Sequence, residues 1–331
     1  MGNMTDRRTL YLHIGVHRTA TTAIQATMFR NWTTLRDSGF LYPLGVERHI
    51  GTFNNIFSGK TTSRQVAADL VERANRHPVP IHTLVLSDED VSMRRDISAL
   101  RDFAEFFDVK VIFAMRRQDL WLESWWAQNV KGQWDRRYCH MSWPDFMRNR
   151  ANFHWIDYAR YIGHIEDVFG KGSVCPYVFE RGQMPDGPVA AFCRQFGYNE
   201  GASLQKAGGE NISLTPEVSE FVRHLPLIDA PMQLRLRLIS MAETVDRQVR
   251  SEKPVTLMIP HSERVQIMQE YAPGNLQVAQ QFFGRDELFF DALPDADQPV
   301  VTPVLPQDSG VLMDRLVSPF MGDLIRRMSK D

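Results

Sequence analysis

The chain has 331 residues, 43% apolar and 24% charged, enough to bury the core of an ordinary globular protein. Its formal charge of −2 at pH 7 excludes a general affinity for nucleic acid or acidic membrane, so any basic chemistry must be local. Cys139, Cys175 and Cys193 have neither zinc-ligand nor disulfide-framework spacing and fit a reducing compartment.

The opening MGNMTDRRTL is polar and lacks the apolar centre of a secretory signal. Asp6 stands where a myristoylation signal wants Ser or Thr. No apolar run approaches a membrane span, and the expected location is cytoplasmic. LYLHIGV (10–16) reads as a buried parallel strand ending at a glycine. From Thr22, apolar residues Ile24, Met28 and Leu35 recur at helical spacing until Gly39. Val66, Leu70 and Ala74 mark another helix before the strand TLVLS (83–87). Asp96 is placed to cap a helix carrying Ile97, Leu100, Ala104 and Phe107 on one face. VKVIFAM (109–115) is a strand, with a helix from about Asp119. Tyr158, Ile162, Ile165 and Phe169 lead into the strand SVCPYVF (173–179), followed by a helix in GPVAAFCRQF. The polar, Gly-containing stretch 199–213 reads as a linker or a long surface loop. Beyond it the pattern is helical, with an unstructured Pro-rich piece near 294–306.

Strands alternating with helices imply an α/β fold: a mainly parallel sheet with helices on both faces. The expected organisation is one domain over 1–331, with a nucleotide-binding core in 8–200 and a mostly helical extension in 201–331. Ligands of such sheets sit at the strands' carboxyl ends, which gathers the loop after Gly15, the SDED after Leu86 and the RRQD after Met115.

The first of these, HIGVHRTATTAIQ, has the position of a phosphate loop but not its full chemistry. Counted from Gly15, Ala20 replaces the second glycine of a Walker loop and Thr21 replaces its lysine. Only the closing hydroxyl, Thr22, remains, and the cation comes earlier, at Arg18. Backbone amides at a helix start still favour an anion, but the lysine that manages a triphosphate is absent, which speaks against a P-loop kinase.

The stretch resembles the 5′-phosphosulfate loop of sulfotransferases that use 3′-phosphoadenosine 5′-phosphosulfate (PAPS). In the group like bacterial carbohydrate sulfotransferases this loop reads close to H-x-G-x-H-K-T-G-T-T. Arg18 then stands at the loop lysine and Ala20 at its glycine, while Thr19, Thr21 and Thr22 match directly. Arginine clamps oxyanions but does not readily give up a proton, and Ala20 has a Cβ that a positive φ would strain. In VKVIFAMRRQDLWLESWWAQNVK, Arg116 and Ser124 have the eight-residue spacing of the family's 3′-phosphate anchor, with Arg117 as an alternative to Arg116. LVLSDEDVS, VFGKGSVCPYVFERG, GGENISLTPE and YAPGNLQVAQQFFGRDELFF resemble further family segments, so the likeness covers about residues 10–290.

The resemblance implies transfer of a sulfuryl group from PAPS to a hydroxyl acceptor, a saccharide or glycolipid. A sulfuryl group carries less negative charge than a phosphoryl group, so no metal is demanded. Arg18 and the loop amides would supply positive charge. Glu89 is the candidate base and His17 its rival, with His13 and His49 behind them. A binding protein of the same fold that has lost catalysis is the alternative. Trp121 and Trp125 lie one turn apart and suit either a sugar-binding cleft or a core. The basic KGQWDRRYCH suits an acidic acceptor or plain solvated surface.

Overall fold

The computed structural model describes residues 7–207 and 213–329. The opening MGNMTD and the GGENI of GGENISLTPE lie outside them.

In chain order the strands and helices begin with β1 (Thr9–His13), α1 (Thr21–Arg30), α2 (Trp32–Asp37) and β2 (Phe40–Leu41). Next come α3 (Ile50–Phe57), α4 (Ser63–Asn75), β3 (Thr83–Ser87), α5 (Phe103–Phe106) and β4 (Asp108–Met115). The middle of the chain holds α6 (Gln118–Gly132), α7 (Trp143–Arg148), α8 (Tyr158–Phe169), β5 (Val174–Val178) and α9 (Pro188–Gln195). The remainder is α10 (Pro216–Arg223), α11 (Met232–Val249), α12 (His261–Val278), α13 (Ser309–Leu312) and α14 (Ser318–Met328).

The chain divides into two compact units that interleave in sequence. One comprises Met1–Arg117, Phe153–Gly208 and Glu270–Asp291. The other comprises Gln118–Asn152, Gly209–Gln269 and Ala292–Asp331.

The first unit holds an all-parallel five-stranded sheet of order β2-β3-β1-β4-β5. Both faces are covered, as the period-2 geometry of β4 shows. Ile112 and Ala114 join a core with Ile24 and Met28 of α1 and Val189 and Phe192 of α9. Phe113, on the opposite face, packs edge-on against Tyr158 and Tyr161 of α8 at 5.7 and 5.5 Å. This is the α/β architecture that the alternation of strands and helices implies. The chain leaves β1 toward β3 on one side and β4 on the other, which makes the carboxyl ends of these three strands the switch-point crevice.

Two local features differ from the sequence pattern. The helix expected from Asp96 is broken into a 3₁₀ turn (Ser98–Leu100) and the four-residue α5, although Ile97, Leu100 and Phe107 are buried as their spacing requires. Asp96 accepts from the Ser98 amide, capping a turn instead of a helix, and extended Phe107 hands the chain directly to β4. The strand β2 has two residues, too few to show a period.

The second unit is helical. Trp121, Trp126 and Trp143 are buried there, and Trp121 stacks on Trp125 at 5.6 Å, so the core reading of these rings holds. Lys131, Arg136 and Arg137 of the basic stretch pair with Glu243, Asp229 and Asp135. Among the described residues no helix is long and apolar enough to cross a membrane.

Candidate functional site

Hydrogen bonds tie the loop after β1 to the neighbouring strand tips. The Ala114 amide donates to the Gly15 carbonyl at 2.6 Å and the Asp88 amide to His13 at 3.0 Å. Gly15 has φ +100, and a Cβ there would lie 2.9 Å from the Cβ of Glu89, so only glycine lets the loop rest on the acid turn. The buried Thr19 hydroxyl donates to the Val16 carbonyl at 2.6 Å and is thereby committed to the loop's own turn.

Ala20 is the N-cap of α1 with φ 61 and ψ 22, and Arg18 has φ 69. Position 20 is therefore left-handed, a conformation that favours glycine, and alanine occupies it at a cost of about 1 kcal/mol. Ala20→Gly is expected to stabilise the protein by about that amount in denaturant unfolding. A neutral or negative effect would contradict the strain. Ala20 offers no capping side chain, which leaves the first-turn amides of α1 without a cap from that residue. Thr21 is buried at the first helical position, and Thr22 is exposed.

The tip of β4 reaches the same loop. Arg116 Nη1 donates to the carbonyl of Arg18 at 2.9 Å, and Tyr158 holds Arg116 in place, accepting from its amide at 3.0 Å and donating to its carbonyl. Burial, together with the nearby Arg116 charge, lowers the Arg18 guanidinium to about 10, still protonated at neutral pH. Arg117 donates to the Asp291 carbonyl at 2.7 Å, while Arg116 has a direct hydrogen bond to the loop. Ser124 lies on α6, in the second unit.

The acid turn after β3 is held by groups the sequence pattern did not single out. Glu89 is 6% exposed, and its Oε2 accepts from Gln25 Nε2 at 2.6 Å. Arg48 lies within 3.4 Å of Glu89 Oε1, 2.6 Å of Asp88 Oδ1 and 2.7 Å of Asp90 Oδ1. Burial opposes the Arg48 charge, but the three carboxylates hold it firmly protonated. His17 Nε2 sits 3.0 Å from Asp90, tying the loop to the same turn. Gln25 was legible in part: it shares a face with Thr21 and Met28, an amide among apolar positions.

His13 and His49 are structural. His13 is fully buried, bonded through Nδ1 to the Ser87 hydroxyl, and burial lowers it to about 3. His49 accepts from the Ser87 amide at Nδ1 and donates from Nε2 to the Pro43 carbonyl. Burial lowers it to about 4 against the pull of those bonds.

Asp88 and Asp90 titrate in opposite directions. Burial raises Asp88 to about 6 despite Arg48, and its Oδ2 has no hydrogen-bond partner among the described residues. Asp90 is only partly buried, and although that burial opposes its charge, His17 and Arg48 hold it down at about 2. A raised carboxyl favours the folded state when protonated. The Asp88 contribution is therefore full below about pH 4 and lost as pH rises through 6. That of Asp90 is present above about pH 4 and lost as pH falls toward 2. Unfolding free energies of Asp88→Asn and wild type, compared from pH 4 to 7, should diverge in favour of the variant as pH rises. A flat difference would contradict the shift.

Among the described residues no group of three or more His, Cys, Asp and Glu side chains is arranged to hold a metal ion. No family model matches the chain. It is 21% identical over 214 residues to a protein of Archaeoglobus fulgidus described as uncharacterized. The match covers 62% of this chain and spans 55%, little more than half, of that relative.

Proposed function

We propose that the protein is a sulfotransferase that takes a sulfuryl group from PAPS and gives it to a hydroxyl of a saccharide or glycolipid, without a metal. The observation that carries this reading is the Arg116 hydrogen bond to the Arg18 carbonyl, which draws cations from two strand tips to one loop mouth. Burial and the Arg116 charge lower the Arg18 guanidinium, and neighbouring cations of this kind gain stability from an anion between or beside them. The α1 amides, uncapped by Ala20, point to the same chemistry. This donor set suits an adenosine with phosphates on both ends better than a triphosphate with magnesium.

When bound, PAPS would supply the activated sulfuryl group. Arg18 and the first turn of α1 would hold negative charge at the 5′ side, and Arg116 would recognise the 3′-phosphate. Ser124 enters as its companion through the resemblance alone. Glu89 is oriented by Gln25 and Arg48, and a carboxylate has lone pairs left after two such contacts, so it can take the acceptor's proton. His17, held by Asp90, is the second candidate for that role. A cytoplasmic site of action belongs to the same proposal, supported by three cysteines that form no disulfide.

The test is transfer of ³⁵S from labelled PAPS to a panel of saccharides and glycolipids. Labelled product supports the proposal. Tight binding of 3′-phosphoadenosine 5′-phosphate with no transfer to any acceptor would favour an inactive nucleotide-binding protein. Magnesium-dependent ATP turnover would favour a kinase.

A further inference from the structure

A second cationic cluster lies away from the loop, beside α8. Arg95, His154, Arg160, Tyr161 and His164 line a cavity of about 130 Å³. At about 30 Å³ per water molecule this admits a few waters or one tetrahedral oxyanion, and it is small for an organic ligand. The chain builds it simply. Arg160 and His164 are one turn apart on α8, with Tyr161 between them, and Arg95 follows the 3₁₀ turn that carries Glu89.

Tyr161 is only 1% exposed, with its ring against Phe113 at 5.5 Å, and its hydroxyl has no hydrogen-bond partner among the described residues. His164 Nε2 is likewise buried and without one. Burial raises the Tyr161 phenol, so it stays protonated and offers a donor. Arg95 and Arg160 are exposed, and neither side chain makes an ion pair or hydrogen bond to a described residue. The exposed Asp96 carboxylate lies within electrostatic reach of His164. A water molecule would satisfy the buried hydroxyl, whereas an oxyanion would accept from it and also pair with the two guanidiniums.

We propose that this cavity binds a small tetrahedral oxyanion, phosphate or sulfate, free or as the monoester of a larger ligand. The site shares no residue with the loop crevice and does not depend on the sulfotransferase reading.

Phosphate and sulfate, titrated at constant ionic strength against chloride, test it by melting temperature in an Arg18→Ala/Arg116→Ala background that removes both cations of the loop crevice. The expected result is a saturable rise that disappears in Arg95→Ala/Arg160→Ala, whose exposed side chains can be removed without unfolding the protein. Tyr161→Phe should weaken the apparent affinity by about tenfold. No rise, or a rise indifferent to all three substitutions, overturns the proposal. Glucose 6-phosphate run in parallel separates the sources. Tighter binding than inorganic phosphate supports an esterified ligand, and weaker binding supports the free anion.

Discussion

Arg18→Ala is expected, on the proposed sulfotransferase reading, to lower sulfuryl transfer by about 10²–10³-fold or more, the loss typical when a preorganised positive donor is removed from developing negative charge. The fold should survive. Arg18 is a partly buried cation whose protonation is opposed by burial and by Arg116, so its removal relieves an electrostatic cost. An unchanged or raised melting temperature combined with lost turnover is therefore the expected signature. Arg18→Lys should keep most of the activity, since it restores a compact cation that can also give up a proton. Wild-type turnover in Arg18→Ala would remove the loop from the chemistry.

The largest expected effect on stability lies in the second unit. Arg264 is 1% exposed and reaches Asp119 Oδ2 at 2.6 Å, Glu123 Oε1 at 2.5 Å and the Ile259 carbonyl at 3.0 Å. Glu123 Oε1 also accepts from the Met258 and Ile259 amides at 2.7 and 2.9 Å. Burial already raises Glu123 against the pull of Arg264. Arg264→Ala leaves two buried carboxylates without their cation and should cost about 3–5 kcal/mol in unfolding free energy. Without Arg264 both folded-state carboxyls favour protonation, so the deficit should shrink as pH falls from 7 toward 5. A loss below about 1 kcal/mol, or one independent of pH, would mean that the triad is replaceable.

The legible parts of the fold are those where local pattern and tertiary role agree. TLVLS is buried at every residue and coincides with β3, because a central parallel strand needs apolar side chains on both faces. β2 carries no such signal at two residues, and the segment after Asp96 shows helical spacing that its hand-over to β4 cuts short. The meeting of Arg116 with the loop that carries Arg18 was readable because both segments follow carboxyl ends of neighbouring strands, where topology converges. Arg48 was not, since its three carboxylates lie some forty residues further along the chain and only the folded structure joins them. The interleaving of the units was equally hidden. Gln118–Asn152 is as apolar as a sheet-covering helix, and nothing local marks it as part of another core.

The central claim is that the crevice distinguishes a nucleotide phosphorylated at both the 3′ and 5′ positions. Thermal shift with 3′-phosphoadenosine 5′-phosphate, 5′-AMP and ATP at equal concentration tests it most directly, because a ligand that prefers the native state raises the melting temperature. The account predicts the largest rise for the bisphosphate, and loss of its advantage over 5′-AMP in Arg116→Ala. Equal shifts for the bisphosphate and 5′-AMP, or a larger one for ATP, would contradict it.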